Sequence, residues 1–216
     1  HDLIGRVDLL GSVPHEKVAT LYSSSDIFVL ASHFEGYGMA YAEAMAHGLG
    51  ELVVESVREA AVADRVAGAL GRVQDVLVRL SPARIPKGFG DHMAGRPSPF
   101  GLDIESVAED LPRILALRHL RVVGFHIYSG TQCLKPEAIC ENYRIFIETF
   151  RTVCGDFGLA PRRLVFGSGL GIPYHPGDSG LDLAQVAGDI APDLEAFLGE
   201  PHFQDCRGAG CLRTRA

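Results

Sequence analysis

Short apolar segments alternate with helix-like segments along most of this chain, and this alternation constrains the fold more than any other feature. The strand-like segments are short and apolar, and they lie at residues 7–10, 26–31, 52–54, 76–80, 120–127 and 164–166. The helix-like segments that follow them lie at residues 15–23, 39–46, 56–70, 104–117, 136–154 and 181–198. Six strand–helix alternations predict a parallel α/β architecture.

Two segments interrupt the alternation. Residues 81–101 are rich in Gly, Pro and polar residues, and a segment of this length favours a functional loop over a plain connection. Residues 203–216 contain two of the five cysteines and little apolar periodicity, so we predict a frayed end there.

The composition excludes several classes of protein. Apolar residues make up 47% of the 216 residues and charged residues 22%, which is typical of a globular chain. The net charge of -7 argues against a nucleic-acid partner. No apolar run approaches the roughly 20 residues of a membrane span, and no signal peptide is visible. The five cysteines include no CxxC pair, so we expect no metal site, no disulfide framework and a cytoplasmic location.

The first motif with chemical meaning lies near the start of the chain. Glu35 and Glu43 are eight positions apart, with Gly36 and Gly38 between them, where a predicted strand turns into a predicted helix. Such a turn presents backbone N–H groups that can bind a diphosphate, and a carboxylate nearby can hold sugar or ribose hydroxyls. The alternative interpretation is that both glutamates only cap and solvate the helix.

Residues 1–49 resemble the Rossmann-like C-terminal half of retaining glycosyltransferases of the GT-B, family 4 type. The resemblance rests on the E-x7-E spacing and on the flanking segments DIFVLAS and AEAMAHGL. It implies that Glu35 contacts the donor sugar and that Glu43 contacts the nucleotide ribose. The resemblance ends at Leu49, so we expect a fragment of such a domain without the acceptor-binding domain.

A second set of residues follows the later predicted strands. His126 ends one strand, Ser129 lies just beyond it, and the glycine-rich turn Gly167, Ser168 and Gly169 follows another strand. A glycine-rich turn offers N–H groups to a phosphate, an imidazole can stack on a flat heteroaromatic ring, and the carboxylate of Glu200 can pair with a ring nitrogen. Together these groups indicate pyridoxal 5'-phosphate (PLP). Each alone has an ordinary structural explanation as a turn or a core histidine.

Residues 50–201 resemble the fold type III PLP-dependent decarboxylases, the diaminopimelate, ornithine and arginine decarboxylase group, and within it the subgroup associated with exopolysaccharide genes. The segments that carry the resemblance are VLVRLSPA, GFHIYSGTQ and FGSGLGIPY. It implies part of a (β/α)8 barrel of the alanine racemase type, preceded by the glycosyltransferase fragment. The implied activity is decarboxylation of an amino acid.

The resemblance also implies roles for individual residues. His126 would stack on the PLP ring, Ser129 and the backbone of 167–169 would hold the phosphate, and Glu200 would pair with the pyridine nitrogen. Arg79 would lie under the cofactor and Glu59 near its Schiff-base end. The alternative for Arg79 and Glu59 is a structural ion pair of the barrel.

Three departures from the family pattern predict impaired activity. The Schiff-base lysine lies in a segment that is absent here, and none of Lys17, Lys87 and Lys135 has its context. The expected Glu-Pro-Gly-Arg reads Glu-Pro-His-Phe from Glu200, and the C-terminal β domain is missing. We therefore expect PLP to be held non-covalently at best.

The sequence thus predicts a glycosyltransferase-like segment at 1–49, a partial PLP-binding barrel at 50–201 and an unmatched tail at 202–216. Three functions stay open, namely a truncated PLP decarboxylase, a remnant that binds a nucleotide sugar, and a non-catalytic fusion fragment. Genes for both families occur in polysaccharide clusters, which is how such a fusion would arise. Half a barrel leaves two open sheet edges, so we expect a homo-oligomer or aggregation.

Overall fold

The structure is a computed structural model that describes residues 6–25, 39–95, 100–167 and 169–208. The chain divides into two compact units, residues 1–50 and residues 51–216. The predicted strand at 26–31 and the predicted site residues Glu35 and Ser168 lie outside the described residues.

The first unit contains two helices, α1 (His15–Ser24) and α2 (Met39–Ala46), and both confirm predicted helices. The predicted strand at residues 7–10 is wrong, because this segment has no strand partner among the described residues. Its apolar side chains face solvent, and Leu9 is 93% exposed. A strand needs a neighbour to satisfy its backbone groups, and an apolar run alone does not supply one.

The second unit is built around a parallel sheet with helices between the strands. Its strands are β1 (Glu51–Val54), β2 (Gln74–Ser81), β3 (Leu102–Asp103), β4 (Leu120–Tyr128) and β5 (Arg163–Gly167). Its helices are α3 (Val57–Ala69), α4 (Val107–Leu115), α5 (Pro136–Phe157), α6 (Leu183–Leu198) and α7 (Gln204–Gly208), with a short 3-10 helix at Pro201–Phe203. No described helix is apolar enough over a sufficient length to cross a membrane.

The strands lie side by side in the order β1-β2-β4-β5, and every pairing is parallel. The short β3 pairs with the last two residues of β2, on the same side of β2 that pairs with β1 over residues 75–78. Helices α3, α4, α5 and α6 each follow a strand, which gives four strand–helix units. This arrangement confirms the predicted α/β fold, a partial barrel of the (β/α)8 type.

Local sequence explains where the long helix α5 begins and ends. Pro136 occupies its first turn, where a missing N–H costs nothing because that group has no intrahelical partner. Gly158 ends the helix with φ of 61°, a left-handed conformation that glycine adopts without strain. The apolar residues of α5 recur at helical spacing, so one face packs against the sheet.

The two faces of the sheet differ in chemistry. The outer face is apolar and lies under the helices, where Phe166 of β5 packs against Phe150 of α5 with 5.2 Å between ring centroids. The inner face is largely polar, and on it Arg163 of β5 reaches Glu51 of β1 with 3.0 Å between the charged atoms. Since β1 and β5 are the first and last strands in the order β1-β2-β4-β5, this contact requires that the sheet curls toward the inner face. The inner face is therefore concave, as in a barrel wall.

The start of the predicted frayed tail is ordered, and that prediction is wrong for residues 203–208. Phe203 is 1% exposed and its ring centroid lies 4.0 Å from that of Phe197 in α6. The thiol of Cys206 donates to the carbonyl of Pro161 at 2.9 Å. Two isolated apolar residues suffice to anchor this segment, although they show no periodicity. Residues 209–216 lie outside the described part of the chain.

Candidate functional site at the carboxyl edge of the sheet

The carboxyl ends of β2, β4 and β5 bring four of the predicted site residues to one edge of the second unit. Arg79 is the register partner of His126, and Tyr128 is the partner of Gly167. Gly169 follows two residues beyond the end of β5. His126 and the glycine turn therefore lie at the same end of their strands, which is the end that carries chemistry in parallel α/β folds.

Arg79 is the most enclosed charge of this edge. The residue is 8% exposed, and its Nη1 lies 2.5 Å from Oε1 of Glu55. Its guanidinium also lies over the rings of Phe100 and Tyr128, at 5.2 and 5.9 Å from their centroids. A charge this buried needs such a partner, because an unpaired one would lose its hydration without compensation.

His126 is half-buried and uncharged at neutral pH. Burial, together with the smaller effect of the positive charge of Arg79, lowers the pKa of His126 to about 4. Its Nδ1 is buried and has no hydrogen-bond partner among the described residues. A neutral imidazole with a free ring nitrogen can stack on an aromatic ligand and exchange one hydrogen bond with it.

Ser129 is completely buried beneath the loop that follows β2. Its hydroxyl has no partner within the described ranges, and its carbonyl accepts from the N–H of Met93 at 2.7 Å. The N–H of Gly90 donates to the carbonyl of Thr131, also at 2.7 Å, so this loop runs against residues 129–131. The hydroxyl of Ser129 is therefore buried where this loop packs against the segment that follows β4.

The glycine turn packs closely against the segment that follows β4. A Cβ on Gly169 would overlap the carbonyl oxygen of Gly130, and φ at Gly169 is +60°. Cys133 N–H donates to the carbonyl of Gly169 at 3.0 Å, and Gly171 N–H donates back to Cys133 at 2.8 Å. The glycines are thus required for chain packing, whether or not a phosphate binds at their N–H groups.

Glu59 has a local structural role. Ser56 caps α3 by accepting from Glu59 N–H at 3.1 Å, and Glu59 Oε2 accepts from Glu55 N–H at 2.7 Å. This arrangement is a variant of the capping box, in which the glutamate accepts from the residue before the N-cap, and the sequence pattern Ser-x-x-Glu could have revealed it. The carboxylate that pairs with Arg79 is Glu55, so the proposed Arg79–Glu59 ion pair is wrong. Glu55 follows β1 directly. Extending the β1–β2 register by one residue beyond the Val54–Val78 pair places Glu55 beside Arg79.

The structure does not bring Glu200 to this edge. Glu200 follows α6 and pairs with Arg151 of α5, with 2.6 Å between Oε1 and Nη2. Two residues on, His202 contacts the carbonyl of Leu159 in the α5–β5 connection at 3.2 Å. Because that connection precedes β5, Glu200 lies at the amino end of the sheet, opposite His126. The physical reason is that Glu200 follows a helix directly, without a strand to carry it to the carboxyl edge.

The residues at the carboxyl edge fit part of what PLP binding requires. The imidazole of His126 and the orphaned hydroxyl of Ser129 match the ring and phosphate contacts. A covalent Schiff base between PLP and a lysine does not fit, since Lys87 lies in the loop after β2 and Lys135 precedes α5. Neither lysine lies on a strand.

In the first unit, Glu43 interacts with Tyr22. Burial raises the pKa of Tyr22, and the charge and hydrogen bond of Glu43 raise it further. The carboxylate of Glu43 is thus already engaged within its unit.

Relatives of known activity cover most of this chain. It is 34% identical over 169 residues to diaminopimelate decarboxylase of Mycobacterium bovis, which covers 71% of this chain and 37% of that enzyme. Most of the chain resembles the fold type III PLP-dependent decarboxylases. It is also 26% identical to L-glutamyl-[BtrI acyl-carrier protein] decarboxylase of Niallia circulans, over 73% of this chain and 38% of that protein.

A solved structure supports the fold. Diaminopimelate decarboxylase from Helicobacter pylori, complexed with L-lysine, matches with a TM-score of 0.60 and 23% identity, covering 75% of this chain and 40% of that one. The chain spans about two fifths of the length of the relatives it matches. Residues 1–62 match the family model of glycosyl transferases group 1, which supports the glycosyltransferase-like segment.

Proposed function

We propose that the second unit binds PLP non-covalently at its carboxyl edge, as the partial counterpart of a fold type III decarboxylase. The observation that carries the proposal is His126, a neutral imidazole at that edge whose Nδ1 has no partner among the described residues. PLP supplies an electron-withdrawing ring to the amino-acid carbon that loses CO₂. The protein's part is to bind and orient that ring.

Each residue of the edge has a distinct part in this proposal. His126 stacks on the ring, and its free Nδ1 accepts or donates one hydrogen bond. The phosphate takes backbone N–H groups of residues 167–169, and the Ser129 hydroxyl joins them once the loop opens. Arg79, held by Glu55, stays below the ring as a fixed charge rather than as a proton donor.

We further propose that decarboxylation by this chain is impaired. No lysine lies within the site, so a covalent link to the cofactor has no donor. Glu200 is held by Arg151 at the other end of the sheet, so the ring nitrogen lacks its expected partner. The amino-acid substrate class, a cytoplasmic location and a role near polysaccharide synthesis all rest on the resemblance.

A PLP titration followed by absorbance and circular dichroism tests the proposal. We expect His126→Ala to weaken binding about fivefold, since an aromatic stacking contact contributes about 1 kcal/mol. His202→Ala, at an exposed position at the amino end of the sheet, is the matched control and leaves binding unchanged. Equal binding by His126→Ala and wild type would refute the site.

Two further measurements test the mode of binding. Glu200→Gln leaves PLP affinity unchanged if Glu200 is remote, and weakens it if Glu200 contacts the ring. Borohydride treatment of the PLP-loaded chain followed by peptide mass analysis should show no modified lysine. A modified peptide containing Lys87 or Lys135 would contradict non-covalent binding.

The family-model match favours a second candidate, a segment that binds a nucleotide sugar through Glu35 and Glu43. A thermal shift with UDP- or GDP-sugars that disappears in Glu43→Gln would support it. If neither PLP nor a nucleotide sugar binds, the chain is a non-catalytic fragment.

A further inference from the structure

Two side chains of the second unit have no exposed surface and no hydrogen-bond partner among the described residues. One is Ser129, whose hydroxyl is assigned above to the phosphate of the cofactor. The other is Asn142 of α5, whose Oδ1 and Nδ2 both lack a partner within the described ranges. We propose that Asn142 is a positioning residue of the phosphate end of the site, and that its amide holds the Ser129 hydroxyl toward the phosphate. This role presupposes the PLP site proposed above.

The packing of α5 on β4 places Asn142 at the level of Ser129. Because α5 connects the parallel strands β4 and β5, it runs antiparallel to both. The rings of Phe150 on α5 and Phe125 on β4 lie 6.5 Å apart. Asn142 lies eight residues from Phe150 toward the start of α5, which is about 12 Å along a helix. Ser129 lies four residues from Phe125 toward the carboxyl end of β4, which is about 13 Å along a strand.

The same periodicities place both side chains in the layer between α5 and β4. Residues four apart on a helix share a face, and alternate residues of a strand share a face. Asn142 is one such step from Phe146, which packs against the sheet through the ring of Phe166. Ser129 is one such step from Ile127, the register partner of Phe166 on the face under α5. Phe146 and Ile127 are fully buried, so this layer is closed to bulk solvent.

The stability of the fold does not explain an asparagine at this position. An amide buried without partners destabilises a protein, whereas an apolar side chain of similar size packs there without that penalty. Thr149, two turns further along α5, shows the usual solution, since its hydroxyl donates to the carbonyl of Ile145 at 2.8 Å. A buried polar group that the fold leaves unpaired is a candidate for pairing with a ligand, or with a residue that the ligand orders.

The hydrogen-bonding capacity of Ser129 fits a link between the phosphate and Asn142. The oxygens of a phosphate dianion only accept hydrogen bonds, so the Ser129 hydroxyl donates to them and keeps two lone pairs on Oγ. Nδ2 of Asn142 can donate to one of these lone pairs, which fixes the direction of the hydroxyl proton. The amide is neutral, so it orients Ser129 without changing the charge at the phosphate end.

Calorimetric titration of the full chain with pyridoxine 5'-phosphate and with pyridoxine tests this role. The two ligands share a ring and differ in the phosphate, and neither has the aldehyde that forms imines with surface lysines. Asn142→Leu should weaken the binding of pyridoxine 5'-phosphate about fivefold, the effect of one neutral hydrogen bond, and leave pyridoxine binding unchanged. Thr149→Val is the matched control, because it removes a buried polar group that already has a partner on the same helix, and it should change neither affinity.

Two further measurements separate a positioning role from a structural one. Asn142→Leu should raise the urea midpoint, because it removes unpaired buried polar atoms, whereas replacing an asparagine with a structural role would lower the midpoint. Since Asn142 acts through Ser129, Asn142→Leu should cause no further loss of pyridoxine 5'-phosphate affinity in a Ser129→Ala background.

The outcomes that overturn the role of Asn142 differ from those that overturn the cofactor site. If wild type binds pyridoxine 5'-phosphate and Asn142→Leu binds it equally well, or loses pyridoxine binding to the same extent, the site stands but Asn142 has no part in it. A lowered urea midpoint with weaker binding of both ligands would assign Asn142 a structural role. If wild type binds neither ligand, or His126→Ala binds as tightly as wild type, the cofactor site fails and the role of Asn142 fails with it.

Discussion

Acidification should destabilise the chain through His126, and the structure sets the size of the effect. The pKa of His126 falls from 6.5 to about 4 in the folded protein, mainly because the ring is buried. Between pH 6.5 and about pH 4, His126 is protonated in the unfolded chain but not in the folded chain, so the free energy of unfolding falls as the pH falls. The contribution is fully present above about pH 6.5 and is lost progressively toward about pH 4.

The expected loss at pH 4.5 relative to pH 7.5 is about 2.5 kcal/mol, from a shift of two to three pKa units at 1.36 kcal/mol per unit. His126→Gln removes the titrating group, so the variant should lack this part of the loss. With an m-value of about 2 kcal/mol/M, wild type should lose about 1 M more in its urea midpoint than the variant does.

Urea unfolding followed by circular dichroism at both pH values measures this difference. Wild type and variant are compared at one protein concentration, because self-association would add to the apparent stability of either. Other groups titrate in the same range, but they contribute equally to both proteins and cancel in the difference. A difference below about 0.5 kcal/mol would refute the burial of a neutral His126, since it would correspond to a shift of less than half a pKa unit.

Three other substitutions test the structural roles assigned above. Gly169→Ala should destabilise the fold by more than about 2 kcal/mol through strain and overlap. Gly180→Ala, whose new Cβ would lie 4.0 Å from the nearest atom of Pro173, should change it by less than about 0.5 kcal/mol; urea denaturation compares them. Glu55→Gln leaves the buried charge of Arg79 without its counter-ion and should cost about 3 kcal/mol in the same assay. Phe203→Ala should cost about 3 kcal/mol and increase proteolysis of the C-terminal segment, because the ring is fully buried against α6.

The sequence predicted the fold of the second unit because its strands are buried on at least one face. β2 is buried at seven of its eight positions, so its apolar run stands out even without tertiary information. The two-residue β3 was missed, since a strand this short has no periodicity to detect. At residues 7–10 the prediction fails in the opposite way, because an apolar run without a partner strand does not form a strand.

The candidate site was predictable only in part. The resemblance indicated His126, and the strand order then placed Arg79 beside it. Glu55 was missed because its partner is determined by strand register, which the sequence does not state. The Glu-Pro dipeptide alone does not place Glu200 at the carboxyl edge, because only a preceding strand would bring it there. The helical pattern that continues to residue 198 shows that a helix precedes Glu200 instead.

The charges on the concave face bear on the proposed cofactor site. Three acidic side chains lie on it and pair with four arginines: Glu55 with Arg79, Asp75 with Arg121 and Arg162, and Glu51 with Arg163. The pairs of Arg121 and Arg163 lie toward the amino end, where the strands begin, while His126 lies at the carboxyl edge. The charge pair of Arg163 is therefore remote from the edge at which we place the cofactor, and cofactor affinity should not depend on that pair.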